Sequence, residues 1–267
     1  MPEITPALIR PPKSPGRGAT PEQRAAARKI RRRWLDDLAD YATAQLTTPE
    51  GWSAFLWAAA MHPERPSGTN LALLAVQAPQ QVTKTYRQWQ ADGRQVRKDE
   101  HGVLIYTSVI KTTDDDETTG TLRGFGCGVV FGYDQTDPAD DSEPDEGQSE
   151  PPWRTPRIPH PRRPEELAAA AAVFASGSDR TGDDAVRDGL AVLAGAAPGL
   201  TEGEAAAAAH LAALTLGVLP ATAPPLPTPE TGDQDADRTE LREAAARVLD
   251  TGRAIAAQFA AVSLPPF

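Results

Sequence analysis

The sequence predicts an α+β protein, with helices packed on a small antiparallel sheet in an N-terminal domain and a smaller all-α region at the C-terminal end. Three observations predict it. Thr20-Pro21-Glu22 and Thr48-Pro49-Glu50 each place a capping hydroxyl before a proline, and both precede apolar stripes of helical spacing. Apolar alternation of period two is concentrated in Val103–Ile110 and Leu122–Tyr133. After residue 164 the chain is alanine-rich and carries helical period only.

The first helix is expected to run from Thr20 to about Gln45, burying Ile30, Trp34, Leu35, Leu38, Tyr41 and Ala42. Its other surface is basic, and Arg28, Arg31 and Arg32 stand there either as a solvated face or as a secondary phosphate-binding face. The second helix, to about Met61, offers Trp52, Phe55, Leu56 and Ala59 to the core. Ser67 caps a third helix with Leu71, Leu74 and Ala75 inward. A fourth short helix, roughly Lys84 to Asp92, ends at Gly93, which suits a left-handed terminating position. Two antiparallel strands follow, joined by the acidic loop Thr112 to Gly120. The second strand sets Gly124, Gly126, Gly128 and Gly132 on one face, a row that indicates either tight helix packing or close approach of a ligand. Helices are expected at Pro164–Ala175, Asp183–Gly195, Thr201–Leu216 and Asp237–Val262, the third opened by a Thr201/Glu204 capping box.

Domain boundaries follow composition. Residues 1–19 read as a disordered basic tail, 20–137 as the α+β domain, 138–163 as an acidic proline-rich linker and 164–267 as the helical region. The 26 prolines favour linkers and tails over one compact body, and a 6% aromatic content makes the core thin for the length. The single cysteine, Cys127, excludes an internal disulfide and fits a reducing cytosol. No run of 18 apolar residues occurs and the N-terminus lacks a signal-peptide core, so a cytoplasmic protein without membrane contact is expected.

The net charge of −10 is segregated. Residues 1–111 hold 16 Lys+Arg against 10 Asp+Glu, residues 112–150 hold 1 against 12, and residues 151–267 hold 10 against 15. Charge is felt over about 8 Å at physiological salt, so the N-terminal part can attract a polyanion whatever the total. Binding an unstacked strand asks for cations along the phosphates and flat rings under the bases. Lys84, Arg87, Arg94, Arg97 and Lys98 supply the first, and Tyr86, Trp89, Tyr106, Phe125 and Tyr133 could supply the second; Tyr86 and Tyr106 are preferred because a tyrosine can keep its hydroxyl in water, whereas Trp89 reads as core. Arg94 and Arg97, just past Gly93, are the first choice for phosphate contact.

The order and spacing of several pieces resemble the N-terminal domain of ArdC-type antirestriction proteins. They are Trp52 and Phe55, Ser67-Gly68-Thr69-Asn70-Leu71-Ala72-Leu73-Leu74, Gln77-Ala78-Pro79, Trp89, Gly93-Arg94-Gln95-Val96-Arg97-Lys98, Glu100, Gly102, and Phe131 with Gln135-Thr136. The resemblance spans about Trp34 to Asp137. It departs from the family pattern at Pro66-Ser67, Lys98-Asp99-Glu100 and Gly132. It implies single-stranded-DNA binding and an association with conjugative plasmids and phages. Full-length members add a zinc metallopeptidase domain, and Glu202-Gly203-Glu204 with the helix after it is similar to the later metal-ligand helix. The H-E-x-x-H helix that would supply two ligands and the general base is absent.

None of His62, His101, His160 or His210 has a histidine four residues on, and no phosphate loop or nucleophile constellation appears. The expectation is therefore a non-enzymatic single-stranded-DNA-binding protein of antirestriction type, protecting or accompanying mobile-element DNA. It carries no metal or cofactor, and its C-terminal region is a peptidase remnant. The alternative is an inhibitor or adaptor that docks on a host or mobile-element protein through its acidic segment or its C-terminal helices.

Overall fold

The computed structural model describes residues 18–62, 66–112, 120–139, 183–218 and 233–261, with a few isolated positions between them. The expected tail, most of the acidic loop and linker, and the helix expected at 164–175 lie outside the described residues. The fold is α+β. Described helices are α1 (Pro21–Ala44), α2 (Pro49–Met61), α3 (Gly68–Gln77), α4 (Tyr86–Ala91), α5 (Asp183–Gly195), α6 (Glu202–Thr215) and α7 (Gln234–Ala261). Described strands are β1 (Thr83–Lys84), β2 (Arg94–Val96), β3 (Val103–Thr112), β4 (Gly120–Gly132) and β5 (Thr136–Pro138).

Local chemistry sets the helix starts. The Thr48 hydroxyl accepts from Gly51 N at 3.1 Å and Ser67 Oγ from Asn70 N at 3.3 Å, each satisfying an amide that the first turn leaves without an intrahelical partner. Thr20 and Gln23 bond each other's backbone amides at the start of α1. Thr85 and Gln88 close a capping box at α4, and Thr201 with Glu204 does so at α6. The Thr85 box is why α4 starts at Tyr86 and not at Lys84. Lys84 instead belongs to β1, opposite Phe131.

The chain divides into two compact units, Met1–Tyr41 with Thr83–Ser142, and Ala42–Val82 with Glu143–Phe267. In the first, β1, β4 and β3 form an antiparallel sheet in that order, and β2 with β5 forms a separate antiparallel ribbon. Neither β1 nor the ribbon shows in the sequence, because segments of two or three residues have no measurable period. The long hairpin pairs Leu104 with Val129, Tyr106 with Cys127 and Ser108 with Phe125. Its register slips between Val109 and Ile110, and Gly124 takes up that bulge at a φ of +140°, which side-chain-bearing residues avoid.

The glycine row proves to be neither a ligand cradle nor a helix seat at Gly128. A Cβ there would lie 2.2 Å from Thr107 Cγ2, so the neighbouring strand's own side chain occupies the space. Along α1, Leu35, Leu38 and Ala39 are buried, and Trp34 and Tyr41 half-buried. Ile30, expected inward, is 59% exposed. It stands five residues before Leu35, about 140° around the helix, and so falls on the far side.

The second unit is one helical core. Trp52 and Phe55 stack with ring centroids 5.2 Å apart, and they share a cluster with Leu71, Leu190, Leu211 and Val248. Helices α2 and α3, read from sequence within the 20–137 domain, thus pack with α5, α6 and α7. The α6–α7 approach is close at Gly252, where a Cβ would sit 2.9 Å from the Ala208 carbonyl oxygen and 3.0 Å from Leu211. Glu204, buried on α6, takes the Thr201 amide on Oε2 at 2.8 Å and Arg247 on Oε1 at 2.6 Å. Burial pushes its carboxyl up, but the bonds from Thr201 and the Arg247 guanidinium outweigh that and hold it below the ordinary value.

Replacing Gly252 by leucine is expected to cost about 1–3 kcal/mol through overpacking against a backbone that cannot withdraw, read as a lower urea midpoint. The depressed Glu204 carboxyl contributes stability that is complete above about pH 4.5 and is lost as pH falls through its folded value. Arg247→Met should therefore be less stable than the parent at pH 7, by about 1–3 kcal/mol, and the gap should narrow towards pH 3.

Candidate nucleic-acid interface

The predicted binding residues fall into two clusters, both within the first unit. The first is built around α4 and the β2–β5 ribbon. Trp89, fully buried, donates its indole N–H to the Phe131 carbonyl at 2.8 Å and lies 6.2 Å from the Tyr133 ring. This bond seats α4 against the end of β4. Gly93 then turns the chain with a φ of +73°, and Arg94 enters β2 opposite Pro138.

Arg94 is committed to this framework. Its Nε donates to Thr136 Oγ1 and its Nη2 to the Thr136 carbonyl, each at 2.7 Å, and the guanidinium lies 4.1 Å from the Tyr133 ring centroid. Arg97 is committed as well. It donates to Glu100 Oε1 at 2.7 Å, to Asp137 Oδ1 at 3.4 Å and to the Asp134 carbonyl. The bond to Glu100 raises the Arg97 pKa further. Glu100 is held below its usual range by Gln135, which donates at 3.0 Å, and then by Arg97. Lys84 pairs with Asp92 and sits 5.2 Å over the Trp89 ring.

Arg87 and Lys98 differ from these three. Both are exposed, and among the described residues neither has an ion-pair partner. The Tyr86 ring beside Arg87 is 41% exposed, and its hydroxyl accepts from Gln95 Nε2 at 2.6 Å, which steadies the ring against the ribbon. The open part of this cluster is Tyr86, Arg87 and Lys98, standing on a frame that Arg94, Arg97 and Lys84 help to hold.

Tyr106 lies in the second cluster, with the basic face of α1. Its hydroxyl donates to Asp36 at 2.6 Å, and the Arg32 guanidinium covers its ring at 4.8 Å. Arg32 also bonds Asp36 at 2.8 Å and the Phe125 carbonyl at 2.7 Å. With one ring face under a guanidinium, Tyr106 is an anchor for α1. Arg31 is half-buried and Arg28 exposed. Cys127, opposite Tyr106, is half-buried, and burial raises its thiol pKa, so it stays protonated at neutral pH.

Residues 42–157, fewer than half of the 267, match the family described as the N-terminal domain of anti-restriction factor ArdC. That stretch is similar to an ArdC N-terminal domain. The matched residues draw on both compact units: the buried Trp52 and Phe55 in one, and the Trp89 frame, the ribbon and the exposed Tyr86, Arg87 and Lys98 in the other. No curated protein and no solved structure matches the chain. No helix among the described residues is long and apolar enough to cross a membrane.

In the sequence Arg97 reads as an open cation, whereas Glu100 and Asp137 neutralise it. Glu100 is three residues from Arg97 and was open to detection; Asp137 comes from 40 residues away. Arg94→Ala is expected to destabilise the protein by about 1–2 kcal/mol, whereas Arg87→Ala should leave stability within about 0.5 kcal/mol of the parent. Parallel urea titrations of the two variants separate frame from surface.

Proposed function

We propose that the ArdC N-terminal domain binds single-stranded DNA and that the protein acts in antirestriction, protecting or accompanying the DNA of plasmids or phages. The observation that carries this reading is the exposed Tyr86 ring with the uncompensated cations Arg87 and Lys98 on a rigid frame, within a chain segment that matches the ArdC N-terminal domain. A ring and separated cations suit a strand whose bases are free to stack, and they ask for no base sequence. Lys84, Arg94 and Arg97 serve by shaping the frame and by adding positive potential near it; they contact phosphate directly where an incoming strand displaces Asp92, Glu100 or Asp137.

The role is binding and not catalysis, with no metal or cofactor. Both carboxylate oxygens of Glu204, which lies in the segment similar to the later peptidase helix, are taken by Thr201 and Arg247, which supports a structural role for it. The helices after residue 183 are then a peptidase remnant that now serves as core. We place the protein in the cytoplasm.

An oligonucleotide titration over several salt concentrations tests the reading. The full chain should bind single strands more tightly than duplex, with affinity falling as salt rises. Arg87→Ala with Lys98→Ala should weaken binding and flatten the log–log salt slope by about 1.4, two phosphate contacts at roughly 0.7 each. Absence of binding, or a slope that the double variant leaves unchanged, refutes the function or the site respectively.

A further inference from the structure

The second cluster holds an aromatic ring that the fold has not used. Phe125 is 57% exposed, the largest exposure among the described aromatic side chains, and its backbone is fixed at both ends. It pairs with Ser108 across the hairpin, next to the Gly124 bulge, and its carbonyl accepts from Arg32. Helix α1 follows the strand here. Arg32 reaches Phe125, and Asp36, one turn later, reaches Tyr106, the partner of Cys127. A helical turn of 5.4 Å keeps step with two strand residues of about 6.6 Å.

Continued back one turn, the same step would set Arg28 towards the bulge. Arg28 lies two turns before Leu35 and on its stripe, yet Leu35 is wholly buried and Arg28 exposed. Arg28 is thus an exposed cation on the same helical stripe that is buried at Leu35. Among the described residues Arg28 has no ion-pair partner, and its chain neighbour Lys29 is exposed too. An open ring on a paired strand, with an exposed cation of the neighbouring helix that has no ion-pair partner among the described residues, has the charge and shape of a single-strand contact.

We propose that Phe125 and Arg28 form a second single-strand contact, separate from the Tyr86 cluster, in which one base stacks on the Phe125 ring and a flanking phosphate pairs with Arg28. Arg32 acts as a positioning residue, joining α1 to the Phe125 carbonyl. This contact rests on the single-strand reading above, because its ligand is the same polymer.

The test compares two probes on the full chain: a fluorescein-labelled oligothymidylate, and an abasic sugar-phosphate strand of equal length. Phe125→Ala is expected to weaken thymidylate binding about 5- to 100-fold and to leave the abasic strand within about twofold. Phe125→Trp should restore thymidylate affinity. Arg28→Gln should weaken both probes and flatten the salt slope by about 0.7. Phe125 is exposed, so thermal unfolding should be unchanged. Equal loss on both probes, or unchanged thymidylate affinity in Phe125→Ala while the parent binds, overturns the stacking contact alone. A parent that binds neither probe overturns the single-strand reading and this contact with it.

Discussion

The hydrogen bond from the buried Trp89 indole to the Phe131 carbonyl is the constraint on which the first unit's candidate surface depends. Trp89 is the largest apolar side chain of a six-residue helix, far too short to hold its shape alone. Seating the indole against the end of β4 orders α4 and brings Tyr133 and Lys84 onto the ring. It also leaves Gly93 to turn the chain straight into the ribbon. The exposed residues Tyr86 and Arg87 stand on that helix, and Lys98 follows the ribbon. Their spacing is a consequence of one buried tryptophan.

Arginine has two duties in this unit, and the number of its partners separates them. Arg94, Arg97 and Arg32 each spend several N–H groups on carbonyls, hydroxyls or carboxylates of the protein itself. A planar fork with five donors suits this bracing, and lysine would not replace it. Arg87, Lys98 and Arg28 are exposed cations without an ion-pair partner among the described residues. Glu100 and Asp137 neutralise Arg97, Asp36 pairs with Arg32 and Asp92 with Lys84, which limits the repulsion that the clustered cations would otherwise build up.

Much of the fold was legible in local sequence. Thr20, Thr48, Ser67 and Thr201 cap helices where their side chains predict, and Asp183–Gly195 is a helix over the expected span. Trp52, Phe55 and Trp89 are core residues, as their apolar spacing indicates. The candidate site was legible by residue type and not by role. Arg94 and Arg97 look like surface cations because the groups that hold them, Thr136 and Asp137, lie some 40 residues downstream. Tyr106 looks like an open ring because the Arg32 that covers it comes from a different element.

By itself the sequence determined most of the described helices and the two hairpin strands, where most helices start, and that cations and rings gather between residues 84 and 106, since these follow from side-chain period, capping chemistry and composition. Only the tertiary structure decided that α2 and α3 share a core with the C-terminal helices, that residues 94–96 pair with 136–138, and which cations are spent. It also decided that Phe125 is the open ring of the hairpin. The physical reason is common to all four. Each depends on contacts between segments distant in sequence, and a hydrogen bond or a burial between such segments leaves no local pattern in either one.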